Sequence, residues 1–522
     1  MELTISQKRT KKMSKIKEGD IFETQVEFST SGNAIIKVEG KEIFIHKKNT
    51  ANAIHLDTAK VQIFQGLKKL EGKVLEVSSR FKIEFVGTAQ VKNDTVFVVA
   101  DGSRISTDFY IKEKGDVKNG QKVLIELINW DINQKSPKAK ITKILGFVGE
   151  NNAEMNAIMY EYGLPIDFPQ EVLNESELIP EVIPQKEIDK RRDMRNVTTI
   201  GIDPFDSKDA DDTISLEFIK GKRYISINIA DVTHYITPET ELDKEAYKRG
   251  TSVYLVDRCV PMLPHRLSNG ICSLKSGPDR LCYTVTVCIS DDGKVRDKWF
   301  GRTVVNVNKD YSYEQAQDVI ENGGDGGDTD TIILELDKIA KLMRKRRVRE
   351  GSIEMGGKEV KFDLDENGKP LGVYFKEQKD ANKLIEEYML LANKEVAKFI
   401  KSKELPCVNR VHPTPDDEKL LNLKKVAMNF GHEIEISDPE TTKDELNKLI
   451  KKIKDTPEES LLSTLVIRSM KKAYYSTEEI GHYGLDFEDY SHFTSPIRRY
   501  SDVLSHRILS LALGNDGYPK IK

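Results

Sequence analysis

The chain has 522 residues, 38% of them apolar and 32% charged, with a net charge of −4. That length exceeds what one hydrophobic core accommodates, so several domains are expected, and the charged fraction is that of a globular rather than a fibrous protein. Five cysteines without a CxxC pair indicate neither a zinc site nor a disulfide framework, and no apolar run reaches the roughly 18 residues of a membrane span nor does the basic N-terminus carry the apolar core of a signal peptide, so a cytoplasmic protein without membrane contact is expected.

Residues 1–19 read as a basic arm, with six Lys or Arg between residues 8 and 17. Short β-type runs follow at 21–28, 34–38, 42–46 and 61–64, and again at 73–77, 82–89, 95–100, 109–111 and 122–128. Gly, Asn and Ser turns separate them, which is the spacing of small barrels. Two tandem OB or cold-shock barrels are therefore expected at 20–70 and 71–145. Such barrels bind single strands by stacking bases on aromatics beside basic residues. The 32–38 run lacks an aromatic, so binding by the first barrel is expected to be electrostatic. Phe44, Phe97, Phe109 and Tyr110 are expected in the cores, since alternating aromatics fill small barrels.

Residues 146–190 combine one helical stretch, 153–162, with Pro165, Pro169, Pro180 and Pro184, and read as a semi-rigid linker. An α+β domain is expected from residue 191 onward, with strands in its first half and helices at 240–249, 380–401 and 459–475. Thr240 and Asp243 open the first helix as a capping box and Gly250 stops it. The second repeats apolar residues at Ile385, Tyr388, Met389, Ala392, Val396 and Phe399. A second basic run carries six Lys or Arg between Lys341 and Arg349.

The densest signal is acidic. Asp203, Asp209, Asp211 and Asp212 crowd into the run Ile-Gly-Ile-Asp-Pro-Phe-Asp-Ser-Lys-Asp-Ala-Asp-Asp, with Asp206 among them. Carboxylates this close must protonate or share a cation. Hard oxygen ligands suit Mg²⁺ or Mn²⁺, the ions used to hydrolyse phosphodiesters. A solvated acidic turn is the plainer explanation, but apolar runs on both sides, at 197–202 and 213–218, argue against it.

This run follows Arg191-Arg-Asp-Met-Arg195, and far downstream stands His-Phe-Thr-Ser-Pro-Ile-Arg-Arg-Tyr-Ser-Asp, residues 492–502. Together the two blocks resemble the signatures of the ribonuclease II and ribonuclease R exoribonucleases, nearer to the ribonuclease R branch; residues 229–235, 261–264 and 272–274 fit as well. The resemblance implies a multidomain protein of two N-terminal all-β OB/cold-shock-type barrels and an α+β ribonuclease II-type catalytic domain at 191–522. It implies a processive, hydrolytic 3′-to-5′ exoribonuclease that releases nucleoside 5′-monophosphates by a two-metal mechanism. Asp203, Asp209, Asp211 and Asp212 would surround Mg²⁺ or Mn²⁺, and Asp211 would order the attacking water. Arg498, with Arg499 ranked second, would clamp the scissile phosphate, because a guanidinium fork binds two phosphate oxygens and stays charged.

Tyr254 and Phe362 would sandwich the terminal bases, and Glu387, Arg468 and His482 would touch the substrate. Ion pairing to Asp502 or Asp489 is the alternative for the arginines, and core packing is the alternative for the aromatics. The expected partner is the 3′ end of single-stranded RNA, with structured RNA as a further substrate, and the protein is expected to be a monomer. Relatives continue into more catalytic domain and another OB-type domain, so the chain reads as a fragment or a shortened protein. A catalytically impaired RNA-binding protein or chaperone is the alternative function.

Overall fold

The computed structural model describes residues 16–514 apart from 68, 94, 106, 133, 354–357 and 367, so most of the expected basic arm lies outside the described residues. The chain forms two compact units, residues 1–166 with 364–371, and residues 167–363 with 372–522.

The first unit is all-β at its centre. Strands β1 (Ile21–Gln25), β2 (Glu27–Phe28), β3 (Ala34–Val38), β4 (Lys41–Ile45), β5 (Thr58–Gln65) and β6 (Leu70–Ser79) form a sheet of order β1-β5-β6-β4-β3-β2. Period-two alternation builds it, since Ala34, Ile36 and Val38 of β3 turn inward while Ile35 and Lys37 turn out. The run at 73–77, expected in the second barrel, belongs to this sheet instead, as β6 pairs antiparallel with β5 and Val74 enters the same core. Gly72 permits that crossing, because a Cβ there would meet Ile45 and Val61 at 2.9 Å.

The strands β7 (Glu84–Lys92), β8 (Thr95–Ala100), β9 (Phe109–Ile111), β10 (Gln121–Asn129) and β11 (Lys138–Phe147) close a barrel. Helix α1 (Asn151–Glu161) packs Ala157 onto Val86, Leu124 and Leu145, so this part of the expected linker is docked on the barrel. Of the four aromatics expected in the cores, Phe109 alone is buried. Val96, Val98, Phe109 and Ile111 take the inward positions, which leaves Phe97 and Tyr110 paired on the outer face with ring centroids 5.6 Å apart.

The second unit is α+β. Its sheet runs β12 (Arg192–Asp193), β19 (Val295–Asn306), β18 (Asp279–Ile289), β15 (Lys222–Ala230), β14 (Asp212–Ile219), β13 (Thr199–Asp203), β20 (Lys309–Ser312). Two two-stranded ribbons accompany it, β16 (Val253–Tyr254) with β17 (Cys259–Val260) and β23 (Asn409–Val411) with β24 (Tyr474–Ser476); a third, β21 (Lys358–Leu364) with β22 (Pro370–Glu377), has residues 364–371 in the first unit. The short helices α2 (Gln170–Glu177), α3 (Gln185–Ile188) and α4 (Val232–Tyr235) precede α5 (Glu241–Arg249), which Thr240 caps by accepting from the Asp243 N–H and Gly250 ends at φ 68°.

Helices α6 (Tyr313–Asn322), α7 (Asp328–Glu350) and α8 (Asp380–Ser402) cover the sheet, with Leu336, Leu384, Tyr388 and Val396 packed on Ile225, Ile227 and Val285. Helices α9 (Asp417–Asn429), α10 (Pro439–Ile453) and α11 (Glu459–Ser469) share a smaller core of Leu423, Leu446, Leu462 and Val466. α11 stops at Ser469 rather than continuing to 475, because Tyr474–Ser476 is drawn into antiparallel pairing with β23. Helix α12 (Tyr500–Ala512) follows the second signature. Among the described residues no helix is long and apolar enough to cross a membrane.

Candidate active site

β13 ends on Asp203 and its antiparallel neighbour β14 begins on Asp212, so the intervening acidic loop folds back over one end of the sheet. The Cys-Ser-Leu run fastens that loop. Ala210 N–H donates to Ser273 Oγ, which donates to the Lys208 carbonyl, and Leu274 N–H donates to the Ala210 carbonyl.

Asp211 is buried, and here the two signatures meet. Its carboxylate accepts from Ile497 N–H at 2.8 Å and from Arg498 Nε at 3.2 Å. Burial pushes the carboxyl up to about 7, with Arg498 opposing the shift. Asp203 is pushed up to about 6 by burial, Lys275 opposing and Asp310 and Asp209 adding to it, while burial and then the Asp203 and Asp211 charges lift Asp212 well above the usual carboxylate range. Asp209 accepts from Tyr254 Oη at 2.7 Å. Asp206 is exposed.

The second signature positions two arginines differently. Arg498 donates from Nη2 to Ser495 Oγ, and its side chain stays 44% exposed, open to a ligand. Arg499 pairs with the fully buried Asp502 at 2.7 Å, the ion pair weighed above as the alternative, and its charge still acts on Asp211 and Asp212. The Arg498 carbonyl accepts from Ser252 N–H and Thr251 Oγ, which brings the β16–β17 ribbon and its Tyr254 to the site. Tyr254 is 53% exposed, so core packing is excluded for it.

Phe362, Glu387, Arg468 and His482 make no hydrogen bond or ring contact with the aspartates among the described residues. Phe362 stands exposed on β21. Glu387 is buried and paired with Arg347 at 2.5 Å, which occupies its carboxylate. Arg468 is exposed on the last turn of α11. His482 packs against His412 and Tyr490 at 4.9 and 5.4 Å, and burial lowers its pKa to about 4. Sequence reading missed three neighbours of Asp203: Lys275, Asp310 and Tyr313. Asp310 arrives by the parallel pairing of β20 with β13, and its carboxylate holds Ser276 N–H and Oγ at 2.9 Å.

As arranged here, no three carboxylate, imidazole or thiol side chains among the described residues converge on a metal position. The donor set still fits a hard divalent cation. All the donors are carboxylates, and Asp203 and Asp212 accept no hydrogen bond from any described residue while repelling one another, a repulsion that a cation would relieve.

The RNB domain matches residues 191–515, and the cold shock domain matches residues 97–169. The chain is 37% identical over 513 residues to ribonuclease R of Thermotoga maritima, covering 94% of this chain and 71% of that one. It belongs to the ribonuclease R family of 3′-to-5′ exoribonucleases. Ribonuclease R 1 of Lactococcus lactis is 34% identical over 501 residues, covering 92% of this chain but 60% of its own length. The fold matches Mycoplasma genitalium RNase R in complex with ribose methylated single-stranded RNA at a TM-score of 0.88 and 23% identity, over 94% of this chain and 79% of that one. Ribonuclease R family enzymes are metal-dependent hydrolases, which accounts for the acidic donor set.

Proposed function

We propose that this chain hydrolyses RNA processively from the 3′ end, releasing nucleoside 5′-monophosphates, as a cytoplasmic monomer that uses Mg²⁺ or, in its place, Mn²⁺. One observation carries the reading: Asp211 of the acidic signature is joined to Ile497 N–H and Arg498 of the arginine signature, 286 and 287 residues away. Asp203, Asp209 and Asp212 would hold the divalent ions, which when bound neutralise charge at the phosphate and make water a better nucleophile.

Arg498 keeps one edge on Asp211 and offers its remaining N–H groups to the phosphate oxygens, a bidentate geometry that a lysine could not reproduce. With its pKa near neutrality, Asp211 can take up a proton at working pH. The Tyr254 ring stacks on a terminal base, which suits an enzyme without base preference because every base has a π-face. The outward pair Phe97 and Tyr110 offers a second stacking surface on the barrel. Single-stranded RNA as substrate is supported by the Mycoplasma protein, which holds such a strand.

Incubating the full chain with uniformly labelled single-stranded RNA tests the reading. Mononucleotides should accumulate with Mg²⁺ and disappear with EDTA. RNA that is bound but left intact under both conditions would leave an RNA-binding protein or chaperone as the function.

A further inference from the structure

The backbone of Lys275 is anchored on both sides. Leu274 N–H donates to the Ala210 carbonyl at 2.9 Å, inside the acidic loop, and Ser276 donates from N–H and Oγ to one oxygen of Asp310, each at 2.9 Å. Asp310 lies opposite Gly201 in the parallel pairing of β20 with β13, and a Cβ on Gly201 would stand 3.1 Å from the other oxygen of that carboxylate. Residues two apart on a strand share a face, so Asp310 sits over the face of β13 from which Asp203 projects. Lys275 is thus strung between the acidic loop and the Asp203 face, where it is half-buried.

The groups around it are unequally served. Tyr254 Oη donates to Asp209, and Ile497 N–H and Arg498 donate to Asp211, but Asp203 and Asp212 accept no hydrogen bond from any described residue. Lys275 and Arg498 both act on Asp203, Lys275 the more strongly. Arg498 is engaged by Asp211 and Ser495, whereas the Lys275 ammonium makes no hydrogen bond or close ion pair with any described residue. A free cation is therefore held next to carboxylates that repel one another, on a flexible four-carbon stem that can approach them or withdraw.

We propose that Lys275 is a resident countercharge of the carboxylate site: its ammonium balances Asp203 while no divalent ion is bound, gives way when one enters, and so holds ion affinity down. An entering ion meets a like charge that it must push aside, which keeps the site exchangeable. The inference rests on the reading above that these carboxylates take a divalent ion. Lys275 is a positioning residue and touches no reacting atom.

Calorimetric titration of the full chain with MgCl₂ at pH 8, without RNA, tests it directly. Lys275→Gln should bind Mg²⁺ about tenfold more tightly, because one positive charge beside a divalent ion is gone. Lys275→Arg keeps the charge and should bind like the parent chain, and Lys275→Glu should bind more tightly than Lys275→Gln. A residue that only braced the loop would give the opposite sign in Lys275→Gln, since a slackened site holds its ion less well.

Melting temperatures at pH 8 without metal give a second readout. Lys275→Gln should lower the melting temperature of the parent chain, and lower that of an Asp203→Asn chain far less, because there the charge it answers is absent. Mg²⁺ affinity that is unchanged or weaker in Lys275→Gln would overturn the inference, as would an affinity in Lys275→Arg altered as much as in Lys275→Gln, or equal destabilisation in both backgrounds. A parent chain that takes up no Mg²⁺ removes the metal reading of the carboxylates, and the metal-free comparison of the two backgrounds still judges Lys275.

Discussion

Asp211 ties the backbone of one signature to the guanidinium of the other, so its replacement separates charge from shape. Asn at this position has nearly the same volume, and its carbonyl oxygen can still accept from Ile497 N–H. The anionic partner of Arg498 is lost, together with the group that takes up a proton near neutrality. Asp211→Asn is expected to reduce cleavage about a thousandfold or more, several kcal/mol of transition-state stabilisation, while RNA affinity stays within a few-fold. Single-turnover cleavage beside a filter-binding titration measures both, and retained activity would remove Asp211 from the chemistry. Tyr254 makes a different prediction. With its ring exposed at the site, Tyr254→Ala should cost little stability but release short RNA early, lengthening the limit product by one nucleotide or more. Tyr254→Phe keeps the stacking face and should leave the limit product unchanged, as denaturing gels would show. An unaltered limit product in Tyr254→Ala would place the stacking surface elsewhere.

Two runs that accompany the signatures prove to be one structural device at the level of elements. Arg191, just ahead of β12, reaches Asp231 at the end of β15 at 2.8 Å, and Arg302 of β19 joins from 3.5 Å, with the Asp231 side chain fully buried and that of Arg191 1% exposed. The paired guanidinium groups outweigh burial and hold Asp231 far below the usual carboxylate range. Asp231→Ala removes the buried carboxylate that the two guanidinium groups share, leaving Glu187 paired with Arg191 at 2.8 Å, and is expected to cost about 3 kcal/mol, read by urea denaturation, with kcat retained in the folded fraction. A loss of kcat at unchanged stability would reverse that assignment. Elements built on local periodicity, such as β3, β8, β9 and α8, were legible because one alternation or helical stripe specifies each. β11 escaped notice because its outward residues Lys138, Lys140 and Lys143 dilute the apolar signal, β6 because it forms a hairpin with the strand before it and not with the barrel after it, and β24 because its partner is distant in sequence. The aspartates and Arg498 were legible as motifs. Asp310 was not, since only the parallel register of β20 on β13 brings it to Asp203, and nothing local distinguished Glu387, sealed by Arg347, from a carboxylate free to meet RNA.

Across the whole molecule, buried titratable groups pull stability in opposite directions with pH. Burial lifts the Asp203 and Asp211 carboxyls to about 6 and about 7, and raises Asp212 as well. An unfolded chain releases these protons near pH 4, so between about 4 and 7 the folded state binds more protons and its stability falls as pH rises. His482, His492 and His506 act the other way. Burial lowers them to about 4, 3 and 4, so the unfolded state binds more protons below about pH 6.5 and stability rises with pH up to that point. Above pH 6.5 these histidines are neutral in both states and the carboxylates alone remain. The metal-free protein is therefore expected to lose melting temperature between pH 6.5 and 8. Mg²⁺ binds the ionised carboxylates and stabilises only the folded state, so it should raise the melting temperature more at pH 8 than at pH 6. An Asp203→Asn, Asp212→Asn double variant removes two of the repelling charges and should show no Mg²⁺ gain and a smaller alkaline loss, the remainder coming from Asp211. Scanning fluorimetry at both pH values, with EDTA and with MgCl₂, measures the four quantities together; a Mg²⁺ shift that is equal at pH 6 and 8, or undiminished in the double variant, would take the ion away from these carboxylates.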